Sequence, residues 1–191
     1  MRVLTALLAA AAAATLAISC ATTAAAATSA DACGATGSAT FTAPPTFDPF
    51  AQGGATFTGS LTLTRTNPPL GSKTSEAVFY LRSNVTGIHA TIVNSNDVTS
   101  GGGDIVKDPT EAVPVLNYSN PAPGTAHVVF GGNNAANDTK VVTFNLTLDQ
   151  NTDLAAGGSF PLDIVGSCKG TGGSTANPFE IDNAIIVNIP I

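Results

Sequence analysis

A period of two runs through the stretch Thr139–Cys168 and limits the fold more than any other feature of the chain. Val142, Phe144, Leu146 and Leu148 alternate with Val141, Thr143, Asn145 and Thr147. After the turn D-Q-N-T-D-L-A-A-G-G, Phe160, Leu162 and Ile164 alternate in the same way. Successive side chains of a strand point to opposite faces, so the pattern predicts half-buried β-strands, not a helix. Cys168 shares the parity of Phe160 and is expected to face the core. The stretch reads as a strand pair joined by a polar turn, which is a scaffold signature.

The same signal recurs along the chain. Short alternating runs are predicted at Ala39–Ala43, Thr56–Thr66, Glu76–Arg82, Gly87–Asn94, His127–Phe130 and Ile181–Ile191. A weaker run, Val113–Tyr118, contains Pro114, which demotes it to an edge strand or an irregular segment. Pro44-Pro45, Asn67-Pro68-Pro69, Gly101-Gly102-Gly103 and Ser119–Gly124 supply the turns. About eight to ten short strands with no helical period predict an all-β fold, an Ig-like antiparallel β-sandwich, as one domain over 31–191. No internal repeat is evident.

The N-terminus carries different information. Arg2 precedes a long alanine-rich apolar run that ends among small residues, the layout of a secretory signal peptide over 1–30. Two processing routes fit it. The favoured one is cleavage at an A-x-A site near Ala27. The other is a lipoprotein box, Ala17-Ile18-Ser19-Cys20, that would make Cys20 the lipidated first residue. Either route leaves Cys33 and Cys168, which in an oxidising periplasm predict one disulfide closing nearly the whole mature chain into a loop. No membrane span is expected once the signal is removed.

Composition excludes some partners. The net charge is −6, and charged residues make up 10% of the chain. Arg2 leaves with the signal, and no basic cluster remains, so nucleic acid is not an expected partner. Thr, Gly, Asn and Ala fill the polar positions, as suits strand surfaces outside the cell.

Catalytic and metal chemistry find little support. His89 and His127 lie inside predicted strands with no Cys, Asp or Glu at metal-ligand spacing, so both read as ordinary sheet residues. No G-x-S-x-G motif occurs, and the triple glycine does not follow a phosphate-loop pattern. Asp149–Asp153 begins like a calcium loop, but Leu154 takes the glycine position and Phe160 the glutamate position. Asp97 and Asp104, flanking the triple glycine, form a weaker ion site still. No enzyme activity, cofactor or metal is expected.

Three features resemble the spore coat protein U family, secreted Ig-like proteins related to archaic chaperone–usher pilins. Cys33 follows the signal, F-D-P-F at Phe47–Phe50 precedes the strand T-G-S-L-T-L-T at Thr58–Thr64, and L-D-Q-N-T-D-L-A-A-G-G-S-F-P-L-D spans Leu148–Asp163. The resemblance implies a structural subunit of a surface coat or pilus-like assembly, joined to like subunits by β-strand complementation, with a periplasmic chaperone and usher as further partners. The residues before Cys33 lack large apolar side chains. At the other end, Ile185, Val187, Ile189 and Ile191 offer four alternating apolar plugs. They are either the sandwich's own last strand, the preferred reading, or a segment exchanged between subunits. The alternative function is an adhesive or carbohydrate- or protein-binding module acting through the loops Asn94–Asp104 and Asn133–Asp138.

Overall fold

The computed structural model describes residues 22–23, 35–42, 55–65, 74–93, 98–130, 139–149, 158–170 and 175–188. All its regular structure is β. The strands are β1 (Thr22–Thr23), β2 (Ala35–Thr42), β3 (Ala55–Arg65), β4 (Thr74–Ser83), β5 (Ile88–Ile92) and β6 (Val98–Ser100). They continue with β7 (Val106–Lys107), β8 (Ala126–Val129), β9 (Thr139–Leu148), β10 (Ser159–Gly170) and β11 (Ala176–Asn188). Among the described residues no helix is long and apolar enough to cross a membrane.

Two sheets form, with orders β1-β2-β3-β9-β5 and β11-β10-β4-β8-β6. Pairing is antiparallel except for the short β7, which runs parallel to the second half of β4. Val142, Phe144, Leu146 and Leu148 of the first sheet share one buried cluster with Phe79, Leu81, Leu162 and Ile164 of the second. Two sheets with a common apolar core between them are what a β-sandwich requires.

The alternation in 139–168 is confirmed residue by residue, but its pairing is corrected. β9 pairs with β3 and β5, whereas β10 pairs with β4 and β11. The supposed strand pair is two strands in different sheets. Period two reports which face is apolar and says nothing about which backbone lies alongside. The apolar faces of both strands nevertheless enter the same buried cluster.

A backbone crossing at Ile105 stitches the two sheets together. Ile105 donates its N–H to the Ala90 carbonyl of β5 at 2.8 Å and accepts the Leu81 N–H of β4 at 2.7 Å. Its side chain is 1% exposed. One residue therefore joins both backbones and fills the gap between them.

Val113–Tyr118 is not a strand. It crosses the outer face of the second sheet, which explains why Val78 and Tyr80, on the face away from the shared core, are 0% and 4% exposed. Thr22–Thr23 pairs with Phe41 and Thr40 at the border of the first sheet, inside the predicted signal segment. Cleavage near Ala27 removes that strand, and processing at Cys20 keeps it.

Candidate functional site

The expected disulfide residues fall differently. Cys168 is buried in the core at 2% exposure, as its parity demanded, with its sulfur 3.6 Å from the Asn177 carbonyl oxygen. Cys33 lies outside the described residues. In the C-terminal segment, Ile185 and Val187 are buried in the core, paired with Leu162 and Phe160 of the same chain. Ile189 and Ile191 lie outside the described residues.

Alternation along β11 is interrupted once. Ile181 pairs with Ile164 and Ile185 with Leu162, so Asp182, Asn183 and Ala184 bulge opposite Asp163. Asn183 takes a φ of 50°, a left-handed conformation that Asn tolerates better than most residues. Its N–H donates to Asp163 Oδ1 at 2.8 Å. The bulge gathers Asp163, Glu180 and Asp182 close enough for their carboxylates to share a cation. The Arg82 guanidinium, an ion-pair partner of both Asp163 and Glu180, already supplies positive charge there.

His89 is the residue that sequence reasoning undervalued. Its Nδ1 lies 2.6 Å from Asp104 Oδ2 and its Nε2 3.1 Å from Asp149 Oδ2. Asp104 Oδ1 also accepts the N–H groups of Ala90 and Val106, at 2.7 and 2.9 Å. The cluster ties β5, the crossing loop and the end of β9 together. Burial disfavours the imidazolium, but hydrogen bonds and charge from Asp104 and Asp149 outweigh it and raise the His89 pKa above 6.5. The three residues are 15 and 60 positions apart in sequence, so no local spacing could reveal them. Of the other predicted ion-site residues, Asp97 and the rest of the Asp149–Asp153 turn lie outside the described residues.

His127 is likewise held by a carboxylate, Glu76 Oε2, at 3.0 Å. It belongs to a polar group on the outer face of the second sheet. Tyr118 donates to or accepts from Ser167 Oγ at 2.7 Å, lies edge-on to the His127 ring, and sits under the Lys169 ammonium at 5.0 Å. Both histidines thus contact carboxylates.

Beside this group is a cavity of about 220 Å³, walled by Tyr80, Arg82, Asn84, Lys107, Asp108 and Glu111, with Pro109 and Val113 adding apolar surface. Lys107 Nζ pairs with Glu111 Oε2 at 3.1 Å. Asp108 Oδ1 accepts both the backbone N–H and the hydroxyl of Thr110, at 2.8 and 2.6 Å, which holds its carboxyl below the usual range. The strand reading placed Tyr80 in a sheet. It carried no hint that the chain from 107 to 113 would return over it.

No family model matches the chain, and no curated protein matches it.

Proposed function

We propose that the chain is a secreted, non-enzymatic, Ig-like structural subunit of a surface coat or pilus-like assembly. The observation that carries this reading is β11. It is a 13-residue strand at the border of its sheet, and among the described residues only β10 pairs with it. A long border strand offers backbone N–H and C=O groups to the strand of another subunit. The buried Ile185 and Val187 supply the alternating plugs that would hold the strand equally well in a neighbouring copy. The signal-like N-terminus, the low charge and the resemblance to secreted coat proteins support the same reading. A Cys33–Cys168 disulfide formed in the periplasm would make such a subunit durable, and a periplasmic chaperone and usher are its proposed assembly partners.

Light scattering on the purified mature chain, with imaging of cells that have or lack it, tests the proposal. The expected result is concentration-dependent oligomers and an altered cell surface. A chain that stays monomeric at high concentration and leaves the surface unchanged removes the reading. Deleting Ile185–Ile191 separates the two roles of β11. An unfolded product marks an internal strand, and a folded product unable to associate marks an exchanged one.

A further inference from the structure

We infer that the cavity over Tyr80 is a binding site for one unit of a neutral saccharide. The Tyr80 side chain is almost wholly enclosed, at 4% exposure, yet its hydroxyl hydrogen-bonds to no group among the described residues. Enclosed hydroxyls are nearly always paired, so one that borders a cavity points to a partner inside the cavity. The Asn84 amide, exposed on the same wall, also makes no hydrogen bond among the described residues. A phenol and an amide can each donate and accept, which suits a ligand whose groups do both.

Charge on the walls argues against an anion. Lys107 is paired with Glu111, Arg82 with Asp163 and Glu180, and Asp108 adds a further negative charge. No cation is left uncommitted to draw in a phosphate or sulfate. Pro109 and Val113 add apolar surface, and the cavity has more apolar than polar wall. Hydroxyls around the edge and C–H groups on the faces describe a sugar ring, and its apolar faces match those walls. The site is independent of β11, so it stands or falls apart from the assembly proposal.

The test titrates the full mature chain with glucose, galactose, mannose and N-acetylglucosamine at millimolar concentrations, read by calorimetry and saturation-transfer NMR. At least one sugar is expected to bind. Tyr80→Phe is expected to weaken that binding about tenfold, the equivalent of one lost hydrogen bond, while melting no earlier than the parent. Asn84→Ala, at an exposed position, is expected to weaken binding without touching the fold and carries the test if the Phe variant misfolds. Thr99→Ala, on the exposed side of β6, is the unchanged control. No binding by any of the four sugars overturns the inference. So does binding that survives both variants intact, or binding of inorganic sulfate in place of every sugar.

Discussion

His89 shows how one side chain can make a β-domain pH-dependent. Both ring nitrogens meet carboxylates, an arrangement that only the doubly protonated imidazole satisfies completely. Because the folded pKa is raised above the unfolded value near 6.5, this contribution is fully present below that value. It is lost as pH rises through the folded pKa. The ring is 43% exposed, so solvent screening keeps the effect modest. Thermal melts between pH 5.5 and 8.5 should show stability declining with rising pH, and His89→Gln should flatten that decline. Gly166 acts through absence. A methyl group there would collide first with the Val78 backbone carbonyl oxygen and would sit 2.8 Å from a Phe179 ring carbon and 2.9 Å from Phe79 Cβ. Gly166→Ala is therefore expected to cost about 1–3 kcal/mol in denaturant unfolding, although Ala is no worse than Gly for a strand. Neither effect was legible beforehand, because His89 and Gly166 owe their surroundings to strands far away in sequence.

At the scale of elements, that glycine belongs to a pattern present in both sheets. Gly166 of β10 stands in register between Phe79 of β4 and Phe179 of β11. Gly59 of β3 stands in register between Phe41 of β2 and Phe144 of β9. A glycine in register with aromatics on both neighbouring strands is a recognised device for fixing register, since a one-residue slip would change both pairings at once. The segment 108–123 is held less firmly, by polar contacts of Tyr118 more than by ladder bonds. Tyr118→Phe should cost about 1 kcal/mol through the lost Ser167 bond. Amide exchange should then quicken in the sheet residues beneath that segment, around Val78 and Tyr80, and stay unchanged in β9. Pro114 had marked the segment as a poor strand, so its irregularity was readable. Its position over Tyr80 was not, because a crossover has no periodicity to betray its path.

For the whole molecule, the main consequence of the corrected topology is that β9 and β10 contribute their buried faces to one core from two different sheets. The described residues show the two sheets stitched at Ile105, whose backbone bonds to both β4 and β5. That crossing ties the sheets together even before covalent bonds are considered. The proposed Cys33–Cys168 disulfide would add a second tie, from the start of the domain to a strand in the second sheet. Reducing it should lower stability by about 2–5 kcal/mol, read as an earlier urea midpoint in the presence of dithiothreitol. Unchanged midpoints would show that the pairing contributes nothing or does not form.

The sequence by itself determined the class of fold, the inward faces of β9 and β10 and the burial of Cys168, and it marked 113–118 as a poor strand. All of these follow from local alternation, proline chemistry and side-chain parity, which act over a few residues. Tertiary structure alone decided that β9 and β10 lie in separate sheets, that Asp104 and Asp149 close on His89, and that Tyr80 lies beneath a cavity. Those outcomes depend on which backbones hydrogen-bond to each other, and many registers satisfy the same alternation. The choice among them comes from filling one core from two sides, as the phenylalanines around Gly166 do.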